Sequence, residues 1–344
     1  MKYVSDLVVQ RRPSLAPVSS RILVTGGSGF IGTNLVAYLI STGVADVLNL
    51  DTVRPRNPDH ASAWRQIDIR DRSTLVAAIT EFLPHVVFHL AARTDLHGTT
   101  LADYEANTDG TSNVVAALLA CEPRPRAIFA SSRLVCHIDY HPVAEDDYAP
   151  TTTYGQSKVA TERIVRREAA GLDWVMVRPT SIWGPWFGTP YRDFFEAVDR
   201  GRYVYPRGVR IKKSYGFVGN TVYELDRLMF GGGLERLRHR TIYLADYPPL
   251  DLQQWAVLIA DRLGRSPPRS LPQTVLRAAA IAGDVAQRLG VKEPPLTSFR
   301  LHNLVTEMIY DTGPLEEVVG ELPFSLGEGV EITVDWLRGH ARSS

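Results

Sequence analysis

Short apolar runs alternate with longer stretches whose apolar residues recur every three or four positions, and this alternation holds from residue 21 to about residue 180. The short runs predict strands at 21–24, 46–50, 64–67, 86–90, 127–130 and 174–177. The 86–90 run, Val86-Val87-Phe88-His89-Leu90, reads as a strand buried on both faces, with His89 a packed strand histidine rather than a ligand. The longer spacing predicts a helix after residue 29 with Phe30, Ile31, Leu35, Val36, Leu39 and Ile40 on one face. It predicts further helices over 72–82 and 154–170, and one long helix over 101–121. Strands alternating with helices mean an α/β fold with a doubly wound parallel sheet, in which ligands bind at the C-terminal ends of the strands. Beyond residue 180 the alternation breaks down. Residues 188–240 mix short helices, glycines and a basic stretch, a strand near 241–245 is expected to rejoin the main sheet, and helices are expected at 251–263, 271–289 and 328–339. The 271–289 helix is amphipathic, and packing within a second lobe is preferred to a membrane or partner contact. Residues 1–20, interrupted by Arg11, Arg12, Pro13 and Pro17, read as a floppy N-terminal arm and not as a signal peptide.

Composition narrows the class. Of 344 residues, 44% are hydrophobic and 22% charged, ordinary values for a globular protein with a large core. The 38 basic and 38 acidic residues cancel, so nothing points to nucleic acid or an anionic membrane as the main partner. No stretch approaches the roughly 18–20 apolar residues that span a bilayer. Cys121 and Cys136 fit no metal or redox spacing, which suits a reducing, cytoplasmic setting. His137, Asp139 and His141 alternate on a loop and are not read as a metal site, and Glu145, Asp146 and Asp147 are read as a solvated turn.

The first strand runs into Gly26-Gly27-Ser28-Gly29-Phe30-Ile31-Gly32, three glycines spaced G-x-x-G-x-x-G at the mouth of a helix. Gly26 suits the turn, Gly29 lets backbone approach a diphosphate, and Gly32 lets helix and strand pack closely. Asp51 follows about 20 residues later, where a carboxylate accepts both ribose hydroxyls of an adenosine and repels a 2′-phosphate. It argues for NAD over NADP, against Arg54 and Arg56 in a Pro-rich loop read as solvent-facing. Asp68 ends the third strand, placed either to bond an adenine amino group or to cap the 72–82 helix, and Ala91-Ala92 are small enough to admit a cofactor. Ser132 ends the fifth strand. Tyr154 and Lys158 lie four apart on one helix face, where an ammonium stabilises a phenolate and draws its pKa from about 10 toward neutrality.

Together these residues resemble the extended short-chain dehydrogenase/reductase family, in its NAD-dependent epimerase/dehydratase branch, over residues 21 to about 340. The markers are Thr25 to Gly32, Asp51, Asp68-Ile69, His89 to Ala92, Asn107 to Thr111, Ser131-Ser132, Tyr154 to Lys158, Arg178-Pro179 and Gly184-Pro185. The resemblance implies a Rossmann-type doubly wound parallel sheet at 21–180 with the later strand added, and a smaller mixed α/β substrate lobe made mostly of 181–344. It implies NAD held by Gly26, Ser28, Gly29, Phe30, Ile31, Gly32, Asp51, Asp68, Ile69, Leu90, Ala91, Ala92, Asn107, Tyr154, Lys158 and Pro179. Tyr154 is then the acid/base, Lys158 tunes it and bonds the nicotinamide ribose, Ser132 bonds the reacting oxygen, and Asn107 supports the lysine through water.

The substrate side is expected to draw on Arg93, Ser132, Arg133, Ser181, Lys213 and Arg300, the last two as diphosphate contacts. The reaction expected is oxidation of a nucleotide-diphospho-sugar to a transient ketone and hydride return, as in an epimerase. The alternatives are net oxidation or reduction of a keto-sugar or a 3β-hydroxysteroid-like alcohol, and a non-catalytic NAD-binding regulator. Ser181 stands where many nucleotide-sugar enzymes have an asparagine, and Cys136-His137 replaces Tyr-Gly; Arg133-Leu134 stands where sugar 4,6-dehydratases carry an acidic pair, and that last change disfavours 4,6-dehydration. A homodimer is also implied, with the apolar faces of 101–121 and 154–170 forming an intermolecular bundle.

Overall fold

The computed structural model describes residues 4–43, 45–291, 294 and 296–341. The first three residues of the arm and the last three of the chain lie outside the described residues. Six strands follow the apolar runs: β1 (Ser20–Thr25), β2 (Ala45–Asp51), β3 (Trp64–Gln66), β4 (Val86–His89), β5 (Arg126–Ala130) and β6 (Trp174–Pro179). They pair in parallel in the order 3-2-1-4-5-6, and the strand Thr241–Leu244 adds alongside β6 as expected. Side chains alternate across this sheet with the strand period of two. Ile22, Val24, Phe88 and Val177 enter one hydrophobic cluster, while Leu23, Val87, Phe129 and Met176 enter the other.

The sheet is covered by α2 (Phe30–Thr42) on one face and by α3 (Arg72–Phe82), α4 (Asp109–Leu119) and α5 (Thr153–Glu168) on the other. In α2, Leu35, Val36 and Leu39 are buried, but Ile40 faces solvent, one position beyond the inward stripe. Asp71, not Asp68, caps α3, accepting from Thr74 N at 3.2 Å. The apolar residues of α4 that were expected to form a dimer bundle, Val114, Val115, Ala117 and Leu118, are buried within the chain itself.

The expected 101–121 helix is broken. Residues 101–104 make one 3₁₀ turn, 105–108 turn again, and α4 starts only at Asp109. The Tyr104 hydroxyl donates to Asp95 O at 2.7 Å, and the Asn107 side chain brackets the backbone of Arg93, accepting from its N–H at 2.8 Å and donating to its C=O at 3.0 Å. Tying the segment to the loop after β4 costs the continuous helix, and that loop forms one wall of the cleft.

The N-terminal arm is not floppy. Residues 4–11 form α1, with Val8 fully buried, and α1 packs on α2. Arg11 bonds Pro323 O and Glu328, both at 2.8 Å, and Ser14 donates to Asp226. The 145–147 turn is also less solvated than expected: Glu145 pairs with Arg240 and accepts from Thr241 N at 2.8 Å, strapping the loop to the edge strand.

Past residue 180 the core continues without a break, through Trp183, which stands 5.2 Å from both Phe217 and Trp255. The 273–288 helix buries only Leu276, Ala280 and Gly283, so packing accounts for one of its faces alone.

Candidate active site

β1 and β4 are neighbours in the sheet but lead to helices on opposite faces, and a crevice opens beyond their C-terminal ends. Pairing of Thr25 with His89 brings the glycine loop beside Leu90 and Ala91. Gly26 sits at φ +76°, and a Cβ there would lie 2.5 Å from Ala91 N. A Cβ on Gly32 would lie 2.2 Å from the Gly26 carbonyl oxygen, so only glycine lets the helix start this close to the strand. Beyond Gly29 no side chain caps α2 and no acid occupies its first turn. The free N–H groups and the helix dipole therefore face the cleft, an arrangement that holds phosphate.

Asp51 is oriented by the loop it serves. Its carboxylate accepts from Ser28 N at 3.0 Å and from Val53 N at 3.1 Å, leaving acceptor capacity for ribose hydroxyls. Arg56 is not free to bind a 2′-phosphate, since it donates to Trp186 O at 2.7 Å. Asp68 forms a two-pronged pair with Arg70 at 2.6–3.1 Å, and the pairing holds its carboxyl below the usual range. The cleft, about 820 Å³, is lined by every residue expected to hold the cofactor except Asn107, which lies behind its wall.

The residues expected to carry the chemistry come from two elements. β5 delivers Ser131-Ser132 and α5 presents Tyr154 and Lys158, and all four line the cleft. The Ser132 hydroxyl, which accepts from Leu134 N at 3.1 Å, lies near the Tyr154 phenol. Burial pushes that phenol up to about 12, and the nearby Ser132 hydroxyl pulls it partly back. Lys158 is buried, donates to Ala130 O at 2.7 Å, and is pushed down to about 8 by burial, with Glu162 opposing. The lowering of the phenol expected of Lys158 is not found: burial outweighs every opposing influence, and Lys158 is not among the groups that shift the phenol. Asn107 meets α5 through Ser157, to which it donates at 2.9 Å. His89 is a packed histidine, as expected: it sits between Thr25 at 2.7 Å and Thr111 at 3.2 Å, and burial first, then the Lys158 charge, push it down to about 3.

Behind the serines lies a buried network that the sequence reading missed. Glu162 accepts from Ser131 Oγ at 2.6 Å, from Arg178 Nε and Nη2 at 2.8 Å each, and from Tyr148 at 2.9 Å. Its spacing of four from Lys158 on α5 was the available signal. The network fixes the β5 end that carries Ser132. Tyr104, whose ring centre is 6.0 Å from that of Tyr154, and Tyr191, which lines the cleft, were also missed.

The expected substrate residues divide. Arg93 and Ser132 line the cleft, although Arg93 is paired with Asp95 at 2.7 Å. Neither Arg133 nor Ser181 lines the cleft: Arg133 is half-buried near Tyr310, and Ser181 is buried near Tyr191 and Tyr215. Lys213 is buried with its ammonium donating to Asn303 O at 2.8 Å and to Thr306 O, and it closes a helix end rather than facing a diphosphate. Arg300 is exposed and donates to Pro294 O at 2.7 Å, outside the cleft. Among the described residues no group of three or more potential metal ligands occurs.

A parallel sheet with a glycine cradle, an acid at the end of β2 and a Ser-Tyr-Lys set in one crevice is the arrangement of a dinucleotide-dependent enzyme. The profile of the NAD dependent epimerase/dehydratase family matches residues 22–200, and the chain belongs to that family, within the extended short-chain dehydrogenase/reductases. It is accordingly an NAD-dependent enzyme type by family, and the residues above fit that cofactor. Among its relatives is the N-acetyl-alpha-D-glucosaminyl-diphospho-ditrans,octacis-undecaprenol 4-epimerase of Escherichia coli O157:H7, 24% identical over 94% of this chain and 97% of the relative. A 3-beta-hydroxysteroid dehydrogenase of Mycolicibacterium neoaurum is 29% identical over 84% of each chain. The UDP-glucose 4-epimerase of Thermus thermophilus, solved with NAD, superposes with a TM-score of 0.67 at 21% identity over 93% of this chain and 99% of that one, which shows the fold.

Proposed function

We propose that the chain is an NAD-dependent epimerase or oxidoreductase acting on a nucleotide-diphospho-sugar, with Tyr154 as acid/base. The observation that carries the reading is that Ser132, Tyr154 and Lys158 line the same cleft as the glycine cradle. NAD, when bound, supplies the hydride acceptor and donor. The protein's part is to position and to move one proton. Ser132 orients the substrate hydroxyl, Tyr154 Oη takes its proton as the carbon is oxidised, and the same phenol returns it when the ketone is reduced. The residues that would hold NAD are the α2 N-terminus for the diphosphate, Asp51 for the adenosine ribose and Lys158 for the nicotinamide ribose. Two of the relatives named above are 4-epimerases of sugars carried on a diphosphate, which supports the sugar reading and the ketone route.

The second reading is net redox on a steroid-like alcohol. It is favoured by the hydroxysteroid dehydrogenase relative and by the placement of Lys213 and Arg300 away from the cleft. Mass spectrometry of small molecules that co-purify, with a screen of nucleotide sugars, separates the two. Retained NAD and interconversion of a C4 sugar pair are expected. Activity only on added alcohol with NAD consumed in proportion would overturn the sugar reading.

A further inference from the structure

We infer that the helical hairpin at 273–305 is a docking surface for an anionic lipid bilayer. Its first helix, Gln273–Arg288, turns Leu276, Ala280 and Gly283 inward onto a small cluster with Leu301. The opposite face carries Val275, Ala278, Ile281, Ala282, Val285 and Leu289, with no charge in that arc. Ile281 is 61% and Leu289 81% exposed. The second helix, Ser298–Val305, is tied to the first: Asp284 accepts from Ser298 N at 3.0 Å and Ser298 Oγ at 2.5 Å, and Phe299, next in the chain, is 73% exposed. The close approach relies on Gly283, where a Cβ would meet Leu296 O at 1.8 Å.

Charge selects the occupant. The chain is neutral overall, yet the described residues from Arg269 to Thr306 carry four arginines and one carboxylate, Asp284. Asp284, bonded to Ser298, keeps its charge near Arg288, while Arg277 and Arg288 are exposed along one edge of the apolar face. An apolar face edged by arginine is the pattern of a helix lying in a bilayer interface, its side chains in the acyl region and its guanidinium groups at anionic headgroups. A second copy of the same face would bring like charges together, which argues against self-pairing there. A 16-residue helix, about 24 Å long, lies in such a plane without spanning it.

The test is co-sedimentation of the full chain with vesicles of phosphatidylcholine alone and of phosphatidylcholine with phosphatidylglycerol. The expected result is binding at least tenfold stronger to the anionic vesicles, weakened by salt. Ile281→Asp with Leu289→Asp should abolish it, and Arg277→Glu with Arg288→Glu should remove the preference for anionic lipid. Retained NAD binding and an unchanged circular dichroism spectrum show that the variants are folded. Equal, weak sedimentation with both vesicle types overturns the inference. So does a wild-type dimer in sedimentation velocity that Ile281→Asp dissociates without lipid. The readout needs no turnover and is independent of the substrate reading.

Discussion

Glu224 and Asp246 form a buried acidic pair away from the cleft, and their burial makes fold stability depend on pH. Glu224 is fully buried with neither carboxylate oxygen hydrogen-bonded among the described residues. Burial first, then the Asp246 charge, raise it well above the usual carboxylate range. Asp246 is half-buried, accepts from Phe217 N at 3.1 Å, and is pushed by burial up to about 7. A carboxyl raised in the folded state binds its proton more tightly there than in the unfolded chain. Its contribution is therefore complete below the unfolded pKa, near 4, and is lost as pH rises through the folded value. For Asp246 the span from 3.8 to about 7 corresponds at most to ~4 kcal/mol. Partial exposure and water entry reduce this to about 2 kcal/mol, or a fall in Tm of several degrees between pH 5 and 8. His89, neutral in the fold, gives the opposite slope, but only below about pH 6.5. Glu224→Gln removes one charge and the repulsion with it, so the variant should gain stability at pH 8, hold its value at pH 5, and show a flattened profile. Thermal unfolding across pH 5–8 measures both. A wild-type Tm that is flat or rises over that range, or a Glu224→Gln profile parallel to wild type, would refute the pairing.

Three further outcomes follow from the geometry. Gly32→Ala pushes a methyl against the Gly26 carbonyl and should weaken NAD binding at least tenfold by titration calorimetry, with ~1–3 kcal/mol lost in stability. Asp51→Ala should raise the NAD dissociation constant about tenfold, roughly 1.4 kcal/mol, and narrow the preference over NADP, and an unchanged ratio of the two affinities would contradict its role. Val8→Ala should cost about 1–3 kcal/mol in denaturant unfolding, since the arm is part of the core, whereas a floppy arm would show no change.

What was legible in the sequence was what is decided locally. The cradle at Gly26 to Gly32, the Asp51 that closes β2, and the shared face of Tyr154 and Lys158 are each written within one turn or one strand end, and the fold brings them to one cleft, though without the lowered phenol that the spacing predicts. The parallel sheet was legible for the same reason, since buried strands write continuous apolar runs. Features set by distant partners were not. The arm docks because Asp226 and Glu328, more than 200 residues away, receive Ser14 and Arg11. The helix at 101–121 breaks because Asn107 finds the Arg93 backbone. Lys213 looks like any surface lysine in sequence, and only the fold reveals that it closes a helix end. Glu162 was passed over because a glutamate on a helix is usually solvated, and its arginine partner lies on another strand.

The central claim is that Tyr154 moves the proton in an NAD-dependent reaction. The Tyr154→Phe variant tests it most directly, because the ring is buried beside Tyr104 and only the hydroxyl is lost. Measured on the nucleotide sugar that wild type converts, with NAD bound equally by both proteins, kcat/KM should fall by roughly 10²–10⁴, about 3–5 kcal/mol of transition-state stabilisation. A kcat/KM within tenfold of wild type would contradict the account.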